Sequence, residues 1–149
     1  MALLTIRKHR LWEVFLVQKL GFNWDEVHEV AEQIEHIDAP KFFARMDELM
    51  GHPTVDPHGS PIPSAEGVIA EHDYRTLDTV EVGARVSLRA VSGQEDALFS
   101  YLTRKGIALG TAFEIVAVEG FDGSLRVRYG SDNREETLTV EVARRLLVG

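Results

Sequence analysis

The sequence predicts an α+β chain of two structural domains, a helical one followed by a small antiparallel β-barrel. Two patterns indicate this: apolar residues recur at helical spacing through the first fifty residues and alternate with polar residues through the last seventy-five. Between them, prolines at 53, 57, 61 and 63 exclude a helix. We therefore expect a helical domain at residues 1–52, a connector at 53–73 and a strand-rich domain at 74–149.

About three helices are expected in the first domain. The first ends before Gly21, because glycine readily adopts the left-handed conformation that closes a helix. A second is expected after Asn23, with Glu26 three residues later as a capping box. The third begins near Pro40, which suits the first turn of a helix, and ends at Gly51.

The last domain consists of short alternating runs separated by turns rich in Gly, Asp and Asn. About five antiparallel strands are expected, a number typical of a small barrel. Val80 and Val82 are assigned to the first strand, and Leu138 and Val140 to a later one. Residues 94–105 interrupt the alternation with helical spacing, so a helix is expected between the first two long strands.

Composition narrows the classes of function. With 149 residues, 44% of them hydrophobic, the chain can form genuine cores in two small domains. Sixteen basic against 24 acidic residues give a net charge of −8, which opposes binding to phosphate backbones. Because cysteine is absent, disulfides and thiolate sites are excluded, and histidines and carboxylates remain as metal ligands.

Neither membrane insertion nor secretion is expected. No apolar run approaches the ~20 residues that span a bilayer. The first residues also lack the basic, then apolar, then small-residue layout of a secretory signal. We therefore expect a cytoplasmic protein with no membrane partner.

The most informative segment is HEVAEQIEH at residues 28–36, on the expected second helix. At about 100° per residue, its histidines and two of its carboxylates fall within an arc of roughly 100°. The first helix carries a similar pair four residues apart. An amphipathic helix with a solvated charged face shows the same spacing, so spacing alone leaves a wet surface and a row of metal ligands equally open. The residues concerned are His28, Glu32, Glu35 and His36, with His9 and Glu13 on the first helix.

Three motifs together resemble the diphtheria-toxin-repressor family of metal-dependent transcriptional regulators. They are RKHRL at residues 7–11 followed by Glu13, HEVAEQIEH at 28–36, and DPHGSPIP at 56–63. The first half of the chain is similar to that family's metal-binding and dimerisation domain. Residues 77–149 are similar to its C-terminal SH3-like domain, which also occurs in the ferrous-iron-transport A proteins. The order of the motifs makes the resemblance specific.

The resemblance implies a sensor in which metal occupancy controls operator binding. In some members the SH3-like domain adds two ligands to the ancillary metal site. Glu95 fits the first of these by position, whereas the second, a glutamine in the family, is Leu98 here. Matched by position, the principal ligands are Glu32, Glu35 and His36, and the ancillary ligands are His9, Glu13 and His28.

The expected cofactor is Mn²⁺ or Fe²⁺, with up to two ions per chain. Iron-type members resemble one another in having cysteine where this chain has Glu32, whereas manganese-type members have glutamate there. Oxygen ligands suit Mn²⁺, so manganese is favoured over ferrous iron. Two ions are compatible with the clustered carboxylates because each cation neutralises their mutual repulsion.

The chain departs from the family by lacking the winged helix-turn-helix that precedes these segments. Met1-Ala2 stands directly before a helix that is already under way. The missing domain also supplies one ligand of the family's principal site, so that site is expected to be incomplete. Operator DNA is therefore a partner only through the missing domain, and residues 1–149 alone are expected to show no specific DNA binding.

A homodimer is the expected assembly. Leu11, Trp12, Phe15 and Leu16, together with the aromatic cluster that follows Lys41, exceed what three short helices can bury among themselves. An isologous two-fold contact would cover the excess. The alternative is that the barrel covers these residues within the same chain.

Two other functions were weighed. A metal enzyme is not expected, because no recognisable motif positions a nucleophile or base. A stand-alone adaptor of the ferrous-iron-transport A type stays open, although residues 7–36 would then have no purpose. The connector histidines His52 and His58 are interpreted as hydrogen-bonded loop residues outside the site.

Overall fold

The computed structural model describes residues 3–149; Met1 and Ala2, the start discussed above, lie outside the described residues. The chain forms two compact units. The first, which we call the helical unit, extends to His72 and includes Gln94–Ser100; the second, the sheet unit, comprises Asp73–Gly93 and Tyr101–Gly149. Residues 53–72, which make up most of the predicted connector, pack as part of the helical unit.

The three expected helices are present as α1 (Leu3–Leu20), α2 (Val27–Ile34) and α3 (Pro40–Leu49). Gly21 and Gly51, the predicted stops, both have φ of 75°, a conformation that favours glycine. The start and end of α2 differ from the prediction. The backbone N–H of Asn23 donates to Glu26 Oε1 at 3.0 Å, yet the helix begins only at Val27. It ends at Ile34, so Glu35 and His36 follow it in a turn.

The core of the helical unit forms where α1 packs against both α2 and α3. Residues on two sides of α1 are buried because each neighbouring helix covers a different face. Ile62, from the segment after α3, completes this core with 9% of its surface exposed. Its buried members are Leu11, Trp12, Val14, Leu16, Val27, Ala31, Phe43, Met46 and Ile62.

Residues 54–62 form a closed loop against α1. A bridge joins Val55 to Pro61, and the Ile62 backbone N–H donates to the Thr54 carbonyl at 2.9 Å. The Arg10 side chain donates to the carbonyl of Pro61. Proline fixes the backbone angles of this stretch, so the loop is an ordered part of the helical unit.

The sheet unit contains a six-stranded antiparallel sheet, one strand more than expected, of the SH3-like type. Its order is β1-β6-β2-β3-β4-β5, with β2 pairing Val86 to Phe113 of β3 and Leu88 to Val148 of β6. Buried apolar side chains on these strands form its core. The strands are β1 (Arg75–Thr76), β2 (Arg85–Val91), β3 (Ala112–Val118), β4 (Leu125–Tyr129), β5 (Arg134–Leu138) and β6 (Leu146–Val148).

Two strand assignments were wrong. Val80 and Val82 follow a short 3₁₀ helix at Leu77–Thr79 instead of forming a strand. Val140 starts a helical turn, α5 (Val140–Ala143), because the Thr139 hydroxyl accepts the Val142 N–H at 3.2 Å as an N-cap.

The predicted inserted helix is present as α4 (Asp96–Arg104). It follows β2 and precedes β3, as expected. Among the helices at residues 3–149, none combines the length and the apolar character needed to cross a membrane.

Candidate metal centre

The buried carboxylates and imidazoles of the described residues are all in the helical unit. Burying such groups costs several kcal/mol unless they are paired or bind a cation. Their concentration in one place therefore requires a physical reason. They are His9, Glu13, Glu35, Asp56 and His58, none more than 8% exposed.

Glu13, on α1, is at the centre of this group. Its Oε2 is 3.5 Å from His9 Nε2, 3.7 Å from His28 Nδ1 and 3.6 Å from His58 Nδ1. Within residues 3–149 this buried oxygen has no hydrogen-bond partner. A carboxylate oxygen surrounded by imidazole nitrogens at distances slightly too long for hydrogen bonds is an arrangement that a divalent cation would satisfy.

The electrostatics of Glu13 are those of a buried carboxylate that a cation would stabilise. Burial, with a contribution from the nearby Asp56, raises the pKa of Glu13 from 4.5 to about 7 against the lowering effect of His9. Burial lowers the pKa of His9, but the Glu13 and Glu35 carboxylates outweigh this and leave it above 6.5. Burial, together with the positive charge of His9, lowers the pKa of His28.

Two groups of three potential ligands share Glu13. In the first, Glu13 combines with His9 and His28; in the second, it combines with Asp56 and His58. Within each group, ligand atoms lie within 4.8 Å of one another. Helix α1 thus supplies ligands to both groups, whereas α2 and the 54–62 loop supply one group each.

The loop positions its ligands through the Asp56 side chain. Asp56 Oδ1 accepts the backbone N–H groups of His58 at 2.9 Å and Ser60 at 2.8 Å. The Asp56 N–H in turn donates to the Ser60 carbonyl at 2.8 Å. These bonds close the turn so that Asp56 and His58 both face Glu13.

The expected principal ligands are only partly brought together. Glu35 is buried and its Oε2 is in close contact with His9 Nδ1, whereas His36 is 74% exposed and lies 3.5 Å from Glu35. Glu32 Oε2 is 3.7 Å from His28 Nε2 and is 65% exposed. His36 leaves the expected row because α2 ends before it. A cavity of about 250 Å³ is lined by Ile6, His9, Arg10, His28, Glu32, Glu35 and Gln94.

The expected ligand from the SH3-like region is not brought into either group. Glu95 is exposed and belongs to neither set of three among the described residues. The neighbouring Gln94 lines the cavity instead. The region that precedes α4 thus reaches the site through a different residue from the one predicted.

Sequence reasoning missed Asp56 and His58. His58 was interpreted as an ordinary loop histidine, and it is indeed hydrogen-bonded, through Nε2 to the Trp24 carbonyl at 2.7 Å. That bond still leaves Nδ1 facing Glu13. The available signal was an aspartate and a histidine two residues apart in a loop restrained by prolines.

The residues expected at a dimer interface are covered by the chain's own helices. Leu11, Trp12 and Leu16 are 0%, 8% and 3% exposed, and Phe15 is partly buried against the same core. The first three therefore have little surface left for a partner, because α2 and α3 cover both faces of α1. The apolar side chains that remain exposed on the helical unit include Leu4, Leu20, Ile37, Phe42 and Leu49.

A helical module with buried histidine and carboxylate ligands, followed in sequence by an SH3-like sheet, defines a metal-binding regulatory chain. The iron dependent repressor metal binding and dimerisation domain matches residues 1–64, and the FeoA domain matches residues 75–149. The chain belongs to the diphtheria-toxin-repressor family of metal-dependent regulators. These domains are regulatory, not enzymatic.

Individual proteins agree with this. The chain is 41% identical over 63 residues to the iron-dependent repressor IdeR of Mycobacterium leprae, covering 42% of this chain and 27% of that protein. It is 41% identical over 58 residues to a probable metal transport system membrane protein of Chlamydia trachomatis, covering 39% and 13%. The chain therefore spans less than a third of either relative.

A solved structure covers more of the chain. The structure of a manganese-dependent transcriptional repressor in complex with manganese is 34% identical. It matches 98% of this chain and 69% of its own, with a TM-score of 0.92. The agreement therefore extends through both the helical and the sheet regions.

Proposed function

We propose that this chain is the metal-sensing and dimerisation part of a Mn²⁺- or Fe²⁺-dependent transcriptional repressor of metal-uptake genes. The observation that carries the proposal is Glu13 Oε2, buried without a hydrogen bond among the described residues and faced by three imidazole nitrogens. Contact with operator DNA would be made by a winged-helix domain outside residues 1–149.

A bound divalent cation would supply positive charge that neutralises the buried carboxylates and accepts imidazole lone pairs. His9 and Glu13 would hold it from α1, His28 from α2, and Asp56 and His58 from the loop. Because these residues come from separate segments, holding one ion would tie the segments together. The free energy of metal binding would thereby stabilise one arrangement of the helical unit.

Manganese is favoured over iron. The position that carries cysteine in iron-type relatives is Glu32, and the carboxylate lines the cavity beside His28 and Glu35. Oxygen-rich ligand sets favour hard cations such as Mn²⁺ over softer ones. The similarity to a repressor solved with manganese supports the same choice.

The geometry supports up to two ions per chain. The two groups that share Glu13 differ in their other members, which are His9 and His28 in one and Asp56 and His58 in the other. A carboxylate has two oxygens and can accept two cations. Glu32, Glu35 and His36 offer further oxygen and nitrogen ligands beside the first group.

The partner is a second copy of the chain. The family's dimerisation domain matches the helical region, which supports self-association. In place of the buried residues predicted earlier, the contact would use exposed apolar side chains such as Ile37, Phe42 and Leu49. A two-fold dimer suits an operator-binding protein, because its two DNA-binding domains match the two half-sites of the operator.

Calorimetric titration of the metal-free chain with Mn²⁺ tests the proposal. Wild type is expected to bind one or two ions. Glu13→Gln should weaken binding at least ~10-fold, since neutral Gln replaces a shared anionic ligand. Glu136→Gln, which removes a carboxylate 3.1 Å from Lys105 in the sheet unit, is the matched control and should bind as wild type does. Equal affinity in wild type and Glu13→Gln would overturn the proposal.

A second candidate is a sensor module of a metal-transport protein. The similarity to the Chlamydia trachomatis membrane protein supports it. Both candidates predict Mn²⁺ binding, but the repressor requires two paired chains. Sedimentation at micromolar concentration separates them: a dimer supports the repressor, and a metal-binding monomer supports the transport module. An adaptor with only the SH3-like function would not bind Mn²⁺ at all.

A further inference from the structure

His58 is held in one orientation by a backbone carbonyl. Its Nε2 is 2.7 Å from the carbonyl oxygen of Trp24. A carbonyl can only accept a hydrogen bond, so Nε2 must carry the hydrogen. In the neutral ring Nδ1 then has a free lone pair, and this atom is 3.6 Å from Glu13 Oε2.

An aromatic ring prevents His58 from turning over. The Phe99 ring stacks on the imidazole with 4.1 Å between centroids and 22° between planes. Phe99 is fully buried, and the Trp24 ring lies 5.0 Å from its ring. A half-turn of the imidazole would place a carbon against the Trp24 carbonyl and turn the unprotonated nitrogen away from Glu13. The hydrogen bond therefore selects this orientation, and the stacked Phe99 ring hinders rotation out of it.

Phe99 is placed there by the first half of α4. Residues Gln94–Ser100 pack as part of the helical unit, although α4 continues to Arg104. The Ser100 hydroxyl donates to Asp25 Oδ2 at 3.2 Å, one residue from Trp24. The segment is therefore attached beside the same backbone that orients His58.

We propose that Phe99 and the Trp24 carbonyl are positioning groups that preset His58 as an Nδ1 ligand, so that packing of residues 94–100 controls the cation affinity of the Glu13–Asp56–His58 group. The inference rests on the proposed metal-sensing function, but the orientation it requires exists before any metal binds. Positioning groups of this kind around metal-binding histidines alter affinity about 10- to 100-fold when removed.

The first test is the protonation of His58 in metal-free protein, measured by long-range ¹H–¹⁵N correlation spectra and assigned through a His58→Gln variant. At a pH where the ring is neutral, wild type should show hydrogen on Nε2 alone. Phe99→Leu keeps an apolar side chain but loses the stacked ring, and it should show a mixture of both tautomers. Phe99→Tyr restores the ring and should restore the single tautomer.

The second test is calorimetric titration of the same variants with Mn²⁺. Phe99→Leu should weaken one class of site about 10- to 100-fold, and Phe99→Tyr should restore it. Phe113→Leu, a matched substitution of a buried phenylalanine in the sheet unit, should leave affinity unchanged. Unchanged circular dichroism verifies that each variant is folded.

The outcomes separate the inference from the proposed function. Hydrogen on Nδ1 in the wild type, or a Phe99→Leu variant with the wild-type tautomer and affinity, overturns the inference even if Mn²⁺ binds. A wild type with the expected tautomer that binds no Mn²⁺ overturns the proposed function, and with it the effect on affinity.

Discussion

The two units of this chain bury different kinds of side chain. Among the described residues, every buried carboxylate and imidazole is in the helical unit, whereas the sheet unit buries apolar side chains and Tyr129, whose hydroxyl donates to the Lys105 carbonyl at 2.6 Å. Apolar burial stabilises a fold directly, but buried carboxylates and imidazoles reduce stability until something compensates them. The buried side chains of the sheet unit therefore stabilise its fold, whereas the helical unit retains buried groups that can bind a cation.

The largest effect that tests this contrast is expected from Phe113→Ala. Phe113 is fully buried, with its ring 5.4 Å from that of Tyr129. Its truncation should lower the free energy of unfolding by about 3–5 kcal/mol, through lost burial and an unfilled cavity. Urea unfolding measures the loss. Mn²⁺ affinity of the folded variant should stay at the wild-type value, because the ligands are in the other unit.

A fall of more than ~10-fold in Mn²⁺ affinity with Phe113→Ala would contradict the contrast, since roughly 1.4 kcal/mol of binding free energy would then depend on the sheet core.

The next effect is the response to metal. Mn²⁺ at about 100 times its dissociation constant should stabilise the folded chain by about 2.7 kcal/mol. Hydrogen exchange followed by mass spectrometry should show slower exchange in α1, α2 and residues 54–62, whose segments carry the ligands. The β3–β4 pair should be unchanged. Equal slowing in both units, or slowing confined to the sheet, would show that metal binding is not a property of the helical unit.

The sequence predicted most of the fold because the signals were local. Helices α1 and α3 end at glycines with positive φ, as expected, and the spacing of apolar residues at 94–105 predicted α4. Val80 and Val82 were misassigned because one buried and one exposed valine after a 3₁₀ turn imitate the start of an alternating strand. The alternation of apolar and polar residues does not distinguish a strand from the segment that follows such a turn.

The site was less predictable because it depends on contacts between distant segments. His9, Glu13 and His28 were found by spacing on helices and do lie together. Asp56 and His58 were missed since their approach to Glu13 depends on the loop folding back on α1, which leaves no periodic signal. The burial of Leu11 within its own chain was not predictable either, because the pattern of α1 does not reveal that two neighbouring helices cover it.

A smaller effect concerns pH. The pKa values of Glu13, about 7, and His9, above 6.5, are raised in the folded chain, so between pH 4.5 and about 7 the folded state binds more protons than the unfolded state. The stability of the metal-free protein should therefore fall as pH rises through this range; the lowered pKa of His28 opposes this only in part. Thermal unfolding at a series of pH values measures the slope.

Glu13→Gln provides the control for that slope, because the amide cannot titrate. The variant should show a flatter profile and, at pH 8, a metal-free stability about 1 kcal/mol above that of wild type, since a desolvated charge has been removed. In saturating Mn²⁺ the order should reverse. A variant less stable than wild type in metal-free buffer at pH 8 would mean that the carboxylate is compensated by its histidine neighbours without any cation.

The smallest effect is expected where the sheet unit also pairs charges. Arg128 lies 3.0 Å from Glu114 and 3.1 Å from Glu135, but all three side chains are about one-third exposed. Water already solvates these charges, so Arg128→Met should change the free energy of unfolding by less than about 1 kcal/mol, and 1 M salt should abolish the difference. The same substitution should leave Mn²⁺ affinity unchanged. If Arg128→Met lowered the free energy of unfolding by more than about 2 kcal/mol, the stability of the sheet unit would depend on its ion pairs. The two units would then not differ in their dependence on charged groups.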